Sequence, residues 1–301
     1  MKEEKVISKS PGTATEDNII EFPITNDIVF NLVMQDPEIS RQLLERIFPD
    51  KKIGEIRLIN DEDEDIKPVT DKSRLFDMTT QFVVENGISA KGIRLDVFMI
   101  DDNEWYDVEM QCGNDMDLPK RSRYYHSAVD VAMLHKGEEY SRLKPSYVIF
   151  ICTFDLFGKD MPVYRFEMIC KDKTDLKLGD ETCTIFLNTI CTRKTVPEGL
   201  SKLFRYISNM ECCDDDLFIS ELHERVRELN TAERRKVLHT LEDKINERYR
   251  AGFSEGKDAG FSEGEEEKAK ETALAMISEG LEVDLISRVT GLSREEIEIL
   301  K

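Results

Sequence analysis

Long apolar segments are missing from this sequence of 301 residues. A membrane-spanning helix needs about 20 consecutive apolar residues, and no run approaches that length, so we expect no membrane association. The N-terminal stretch MKEEKVISKSPGTATEDN is polar and has no apolar segment of the kind that a secretory signal requires. The sequence therefore predicts a globular protein that has neither a membrane anchor nor a secretory signal.

Paired cysteines are missing as well. The seven cysteines are an odd number, and no two of them have the C-x-x-C spacing that is typical of zinc sites. Most of them lie within apolar, strand-like segments. We therefore expect buried, reduced thiols in a cytoplasmic protein, rather than a disulfide or zinc framework.

Positive charge is scarce. The chain has 42 Lys and Arg against 62 Asp and Glu, which gives a net charge of -20 at pH 7. Affinity for nucleic acid depends mostly on cations, so this balance argues against easy binding of DNA or RNA. The acidic excess is uneven, since residues 251–301 hold 13 acidic and 6 basic residues, whereas residues 201–250 are nearly balanced. The sequence is therefore still compatible with a basic groove in one part of the protein.

The spacing of apolar residues predicts a chain of mixed α and β structure. Two amphipathic helices are expected within 22–49, capped at Thr25 or Asn26 and interrupted at Pro37. A third helix is expected over 118–136, after an acidic loop near 60–72. The predicted strands are 76–84, 93–100, 105–112, 146–154, 163–170 and 183–191. From about residue 197 the pattern is helical, which indicates an α/β or α+β core with a helical C-terminal extension.

Acidic residues converge on a predicted β-hairpin, whose strands 93–100 and 105–112 are joined by the polar turn DDNE. Side chains alternate along a strand, so Asp107, Glu109 and Gln111 are expected on a polar face and the apolar residues on a core face. Asp96 interrupts an apolar run, where an unpaired carboxylate is costly to bury. Asp96 and Glu109 together predict a Mg²⁺ or Mn²⁺ site that activates water, because such ions favour carboxylate ligands. The alternative is a solvated hairpin face.

Four segments in a fixed order carry a family resemblance. They are TNDIVF at 25–30, GIRLDVFMIDDNEWYDVEMQ at 92–111, R-x-R-Y-Y at 121–125 and GEEYSRLKPSYVIFICTF at 137–154. Together they resemble the recombination-promoting nuclease (Rpn) family, whose members are also described as transposases. That family belongs to the PD-(D/E)XK nuclease superfamily, and the resemblance covers about residues 22–210.

The resemblance implies a restriction-endonuclease-like core and a metal-dependent DNA endonuclease that is associated with recombination or mobile elements. Asp96 and Glu109 match the acidic residues of the superfamily pattern, which act as metal ligands. Gln111 stands where the superfamily usually has lysine, and glutamine is similar to what this family shows. A glutamine supplies no positive charge, so Gln111 would orient water or phosphate by hydrogen bonds.

Three further residues are candidates for phosphate or substrate contacts. Arg121 and Tyr125 lie four apart on one helix face, where Arg can bind phosphate and Tyr can hydrogen-bond or stack. The alternative is a surface arginine over a core tyrosine. Asp27 lies in the first helix, where the family has a polar residue, although Asn31 replaces the lysine that often follows. Asp27 can also be read as a first-turn carboxylate that complements the helix dipole.

The C-terminal region has a different character. AGFSEGKD at 251–258 is followed by AGFSEGEE at 259–266, which spaces glycines four residues apart. Such a stripe indicates either a helix that associates with a second copy or a flexible acidic linker. The sequence does not distinguish between these two interpretations. Residues 276–300 resemble a helix-turn-helix with a capping box formed by Ser293 and Glu296.

The predicted organisation has five parts. They are a polar tail (1–20), a nuclease-like domain (21–210), a helical extension (211–250), a glycine-repeat helix or linker (251–270) and a helix-turn-helix-like module (271–301). The expected partners are DNA and further copies of the chain joined through the C-terminal helices. The alternative function is a catalytically weak or inactive nuclease-fold protein that acts as a protein-interaction module.

Overall fold

A computed structural model describes residues 20–58, 82–84, 93–101, 103–113, 116–134, 137–193, 195–213 and 215–300. Its helices are α1 (Asp27–Met34), α2 (Pro37–Ile47), α3 (Leu118–Met133), α4 (Glu198–Asn209), α5 (Leu217–Leu229), α6 (Ala232–Ser278), α7 (Val283–Thr290) and α8 (Arg294–Ile299). Its strands are β1 (Arg57–Leu58), β2 (Phe82–Val84), β3 (Ile93–Leu95), β4 (Val97–Ile100), β5 (Trp105–Gln111), β6 (Ser146–Cys152), β7 (Val163–Phe166), β8 (Ile169–Cys170), β9 (Lys173–Lys177) and β10 (Thr182–Asn188). The chain divides into two compact units, Met1–Lys236 and Val237–Lys301.

A six-stranded mixed sheet forms the centre of the first unit, with the strand order β1-β4-β5-β6-β10-β7. β6 runs parallel to both β5 and β10, and the other neighbours are antiparallel. The predicted antiparallel hairpin is confirmed as β4 and β5. α3 connects β5 to its parallel neighbour β6, as a parallel pair requires a crossover connection. The predicted mixed α/β fold class is confirmed.

The central strand β6 has a nearly continuous apolar sequence, SYVIFIC, and six of its seven residues are buried. Such a run is expected where both faces of a strand are covered. The prediction of a buried central strand at 146–154 is therefore confirmed, with its end at Cys152.

Several predicted strands have different bounds in the structure. Strand 163–170 is wrong as a single element, because β7 pairs with β10 whereas β8 pairs with β9 in a separate hairpin. β9 was missed because all five of its residues are exposed, so no apolar alternation reveals it. Strand 93–100 is interrupted by a bend at Asp96. Within the predicted strand 76–84 only β2 is described, and the rest of it and the predicted acidic loop lie outside the described residues.

Side-chain caps fix the starts of the first two helices. The Asn26 side chain accepts hydrogen bonds from the backbone N–H groups of Ile28 and Val29, at 3.1 and 3.2 Å. Asp36 caps α2 in the same way. Pro37 occupies the first turn of α2, where its missing N–H is not needed.

Both faces of the sheet are covered. On one face α3 packs over a cluster that includes Phe98, Phe150 and Phe186. On the opposite face the ring of Phe48 lies 6.0 Å from that of Tyr106 and 5.1 Å from that of Tyr147. The five central residues of β5, from Tyr106 to Met110, are therefore buried.

The predicted shared face of Asp107 and Glu109 is confirmed, but that face is enclosed and the alternative of a solvated face is wrong. Asp107 and Glu109 lie on the face that α3 covers, and they are only 1% and 3% exposed. A polar alternation in the sequence indicates solvent on one face only when nothing packs there. Here the acidic residues are enclosed, so their carboxyl groups have almost no contact with solvent.

The second unit contains a small apolar cluster of its own, formed by Ala273, Ile286, Leu292 and Ile297. The predicted capping box is present at the start of α8, where Ser293 and Glu296 each bond the other's backbone. The backbone of the glycine repeat is helical within α6.

The cysteines are all free thiols. The expectation that they are buried is wrong for most of them, since only Cys152 and Cys183 are buried and Cys112 and Cys212 are exposed. Among the described residues no helix is both long and apolar enough to cross a membrane.

Asn230 joins the N-terminal segment to the end of α5, and we expect its loss to destabilise the first unit. Its Oδ1 accepts from the backbone N–H groups of Glu21 and Phe22, at 2.9 and 2.8 Å, and its Nδ2 donates to the carbonyl of Phe22 at 2.9 Å. Asn230→Ala leaves these buried groups unsatisfied and should lower the free energy of unfolding by about 2–3 kcal/mol. Urea unfolding measures this. The exposed Asn209→Ala is the control, and equal losses in the two variants would contradict the anchoring role.

Candidate active site

Asp96 and Glu109 face each other across the β4–β5 pairing. Val97 pairs with Val108, so Asp96 and Glu109 occupy the next opposite positions. Glu109 Oε1 accepts a hydrogen bond from the backbone N–H of Asp96 at 2.9 Å, and Asp96 Oδ2 accepts one from the backbone N–H of Met110 at 3.3 Å. Each carboxylate is therefore fixed by a backbone N–H of the opposite segment.

The bend at Asp96 is held by α1. The side-chain amide of Asn31 donates a hydrogen bond to the carbonyl oxygen of Asp96, and Asn31 is 2% exposed. The sequence showed Asn31 only as a replacement for a lysine and did not assign it to the site. The available signal was its position, since a single amide within the apolar helix DIVFNLVM needs a polar partner once it is buried.

Arg121 reaches the site from the first turns of α3. Its Nη2 donates to Glu109 Oε2 at 3.1 Å and to Gln111 Oε1 at 2.7 Å. The guanidinium carbon lies 5.2 Å from the centre of the Phe150 ring and 5.4 Å from that of Tyr125. The structure thus brings together Asp96, Glu109, Gln111 and Arg121, which the sequence named.

Tyr125 and Asp27 are placed differently. Tyr125 is 7% exposed, and burial raises the pKa of its phenol. Its ring packs against the guanidinium of Arg121. Asp27 is exposed at the start of α1. After burial, the charge of Asp27 is the next cause that raises the pKa of the Cys112 thiol. The thiol of Cys112, directly after β5, donates to the carbonyl of Thr25 at 3.2 Å, so the segment that precedes Asp27 lies at the end of β5.

A third acidic residue shares this face. Neither carboxylate oxygen of Asp107 has a hydrogen-bond partner among the described residues. Burial raises its pKa well above the ordinary value, the charge of Asp96 raises it further, and Arg121 opposes both effects. The neighbouring carboxyl of Glu109 lowers this pKa through a side-chain hydrogen bond, which forms when one of the two groups is protonated. The sequence placed Asp107 on this face without assigning it to the site.

The pKa of Glu109 is also raised well above its ordinary value. Burial is the largest cause and the charge of Asp107 is the second, whereas the hydrogen bond from the Asp96 backbone and the charge of Arg121 oppose the shift. Two adjacent buried carboxyls therefore disfavour each other's ionisation. A bound cation would relieve this repulsion.

The residues present fit a divalent cation. Within the described parts of the chain, no group of three or more His, Cys, Asp or Glu side chains is arranged to hold a metal ion. Mg²⁺ keeps several waters and often uses only one or two protein carboxylates, and Asp96 with Glu109 provides two. Asp107 lies beside this pair, and burial raises its pKa well above the ordinary value, which favours its uncharged form when no cation is bound.

The raised pKa values of Glu109 and Asp107 predict a dependence of stability on pH. The stability that these carboxyls contribute is fully present below their ordinary pKa values of 4.5 and 3.8 and is lost as the pH rises through their folded pKa values. In chelator, the free energy of unfolding of the wild type should therefore fall relative to that of Glu109→Gln as the pH rises above 4.5. Urea unfolding at a series of pH values measures the difference. The exposed Glu139→Gln serves as control, and parallel pH curves for wild type and Glu109→Gln would contradict the assignment.

Two family models match the chain. The first, PD-(D/E)XK nuclease family transposase, matches residues 76–251, and the second, Rpn/YhgA-like nuclease family, C-terminal HTH domain, matches residues 266–301. No curated protein and no solved structure matches.

The first match contains Asp96, Glu109, Gln111, Arg121 and Tyr125, whereas Asp27 precedes it. The predicted family resemblance is therefore confirmed, and the second match falls on the predicted helix-turn-helix-like module. The chain belongs to the PD-(D/E)XK nuclease family transposases and carries the C-terminal helix-turn-helix domain of the Rpn/YhgA-like nucleases.

Proposed function

We propose that this protein is a Mg²⁺- or Mn²⁺-dependent endodeoxyribonuclease that hydrolyses phosphodiester bonds during recombination or the movement of mobile elements. The observation that carries the proposal is the pair of carboxylates Asp96 and Glu109. Each is fixed by a backbone N–H of the opposite segment, and a guanidinium lies beside one of them.

Asp96 and Glu109 are the proposed ligands of the cation. A divalent cation at this position would neutralise charge that develops on the phosphodiester and would lower the pKa of water. Gln111 lies at the end of β5, next to the carboxylates, where its side-chain amide can orient the attacking water or a phosphate oxygen. The amide donates to the carbonyl of Gly113 at 3.2 Å, which holds it at the edge of the sheet.

Arg121 is the proposed phosphate contact. A guanidinium can bind two phosphate oxygens at once, and this one lies 2.7 Å from Gln111 Oε1. It therefore places positive charge beside the position where the superfamily usually has lysine. Tyr125 supports the guanidinium from below, and Asp27, exposed at the start of α1, is proposed to line the path of the substrate.

DNA as the substrate requires local positive charge on an acidic protein. The first turns of α3 supply it, since Lys120, Arg121 and Arg123 lie within four residues of one another beside the site. Lys120 and Arg123 are exposed. A small cluster of cations on the surface can bind phosphates even when the remainder of the protein repels them. Such binding weakens strongly as the salt concentration rises.

Cleavage of a supercoiled plasmid in Mg²⁺ or Mn²⁺ tests the proposed function. Asp96→Ala and Glu109→Ala should each lower the cleavage rate by more than about 100-fold, because residues that only orient metal ligands already contribute about 10- to 100-fold. Glu139→Ala, which removes an exposed carboxylate that precedes β6, is the control and should cut normally. Cutting that survives Asp96→Ala would contradict the site.

A second function is favoured by the net charge of -20. A nuclease scaffold with an acidic surface can serve as a protein-interaction module without catalysis. A wild type that cuts neither DNA nor RNA in Mg²⁺ or Mn²⁺ would favour this function over the endonuclease. The seven free thiols support a cytoplasmic location in both cases.

Self-association through the C-terminal helices is the proposed oligomeric contact. Leu281, Leu285 and Val289 are 41%, 38% and 59% exposed at and before α7, which leaves apolar surface uncovered on the second unit. Neighbouring apolar side chains on one helix face are typical of contacts between proteins.

Charged substitutions on α7 test the self-association. The double variant Leu285→Glu and Val289→Glu should shift the mass measured by light scattering toward that of the monomer, because two buried charges oppose an apolar contact. Leu217→Glu, at an exposed apolar position at the start of α5, is the control. An unchanged oligomer in the α7 variant, or a wild type that is already monomeric, would contradict the contact.

A further inference from the structure

A pocket with a volume of about 320 Å³ lies on the side of the sheet opposite to the candidate active site. Its walls are the segment that follows α2, the edge strand β7 and the start of α4. Phe48 in the first wall packs against Tyr106, which alternates along β5 with the acidic residues beneath α3. Protein sites for small molecules have volumes of about 300 to 1,000 Å³. The pocket is therefore of the right size for a small ligand.

The walls of the pocket combine positive charge with apolar surface. Three cationic side chains line it, those of Arg46, Lys51 and Arg165, against the single acidic residue Asp50, which is exposed. The remaining lining residues are all apolar, namely Ile47, Phe48, Pro49, Val163, Pro197 and Leu200. A ligand that complements these walls carries negative charge at one end and has an apolar or planar group at the other.

Two of the three cations already have acidic partners. The guanidinium of Arg46 donates to a carboxylate oxygen of Asp216 at 2.6 Å. The ammonium of Lys51 forms an ion pair with Glu104. These contacts neutralise both cations and fix them in the wall of the pocket.

Arg165 has no such partner. Its Nη2 donates to the backbone carbonyl of Ile47 at 2.5 Å, and its guanidinium carbon lies 5.9 Å from the centre of the Phe48 ring. No carboxylate among the described residues forms an ion pair with it. The carbonyl occupies one of the N–H donors of the guanidinium, so the side chain is held at the pocket while its other donors are available. A guanidinium placed in this way is suited to bind an oxyanion.

We propose that this pocket binds a small organic phosphate of the size of a nucleoside monophosphate, with Arg165 as the residue that binds the phosphate. A phosphate group has several terminal oxygens and can accept two parallel hydrogen bonds from one guanidinium. The planar or apolar part of the ligand then contacts the lining formed by Phe48, Pro49 and Pro197. This inference is independent of the proposed nuclease activity, because the pocket shares no residue with the candidate active site.

Calorimetric titration of the full chain with adenosine 5′-monophosphate tests the proposal. Chelator is present, so that no divalent cation attracts the phosphate to Asp96 and Glu109. One molecule should bind per chain, with a dissociation constant below about 1 mM. Arg165→Gln should raise this constant at least about tenfold, because a hydrogen bond to a charged group is among the stronger ones in proteins. Equal binding by wild type and Arg165→Gln overturns the proposal.

Arg193→Gln is the matched control. Arg193 is also exposed, and its Nη2 also donates to a backbone carbonyl, that of Lys159 at 2.7 Å. It does not line the pocket. The substitution removes the same charge elsewhere on the first unit and should leave the binding of the nucleotide unchanged. Equal weakening in both variants would show a general effect of net charge and would overturn the pocket.

Two smaller ligands test the two parts of the pocket separately. Inorganic phosphate should bind at least about tenfold more weakly than the nucleotide, because it buries no apolar surface against the lining. Adenosine should also bind at least about tenfold more weakly, because it has no group for Arg165. If inorganic phosphate binds as tightly as the nucleotide, the pocket is a general anion site and the proposal is overturned.

A variant that fills the pocket tests where the ligand binds. Val163 and Arg165 are alternate residues of β7, and both line the pocket. Val163→Phe adds a ring on this half-buried edge strand and should weaken nucleotide binding at least about tenfold by occupying the space of the ligand. Unchanged binding in Val163→Phe would show that the nucleotide binds elsewhere, which overturns the pocket.

Two outcomes assign the phosphate to other sites. Loss of binding in Arg121→Gln, with normal binding in Arg165→Gln, places the phosphate in the candidate active site and overturns the pocket. A single-stranded oligonucleotide that depends on Arg165, together with a nucleotide that does not bind, makes this surface part of a nucleic-acid path and also overturns it. A wild type that binds the nucleotide but cuts no nucleic acid supports the pocket and overturns only the endonuclease.

Discussion

The register between β4 and β5 is the constraint on which the site depends. It sets Asp96 opposite Glu109, so that the carboxylate of each reaches a backbone N–H of the opposing segment. A slip of one residue would turn every side chain of β5 to the other face of the sheet. The buried apolar side chains of Tyr106, Val108 and Met110 oppose such a slip, since they would exchange places with acidic residues. The hydrophobic core therefore positions the acidic residues.

The same constraint explains why the acidic face is closed. Glu109 lies beneath α3, and Arg121 of that helix supplies the nearest positive charge. A salt bridge that is largely buried gains little net stability, because the desolvation of both groups offsets the attraction. The Glu109–Arg121 pair is thus better understood as positioning two groups of the candidate site than as stabilising the fold.

Local patterns predicted much of the architecture. The run SYVIFIC identified the central strand, the capping residues marked the helix starts, and the turn DDNE marked the hairpin. Each of these signals lies within a few neighbouring residues and depends on no distant part of the chain. Asp96 and Glu109 could be paired for the same reason, since 13 positions and one tight connection separate them.

Other features depend on segments that are far apart in sequence. The burial of Asp107 follows from α3 packing over β5, and alternation alone describes the same residue as solvated. Asn31 contacts the bend at Asp96 although the two residues are 65 positions apart in sequence, so no local pattern predicts the contact. The exposed strand β9 has no hydrophobic signal because nothing covers it. These errors concern residues whose burial and contacts depend on tertiary packing. The residues of the candidate site are of the same kind.

The relation between Gln111 and Arg121 connects the strand chemistry to the helix. A lysine at position 111 would direct an ammonium toward the carboxylates from the strand itself. Gln111 instead presents a carbonyl oxygen, and this oxygen accepts a hydrogen bond from Arg121 at 2.7 Å. A lysine there would place a like charge against the guanidinium and would remove its acceptor. Lysine on β5 and arginine on α3 are thus alternative ways to bring one positive charge to the same place. In this chain the charge comes from the helix, so the position of α3 over the sheet is part of the geometry of the candidate site and not only of the fold.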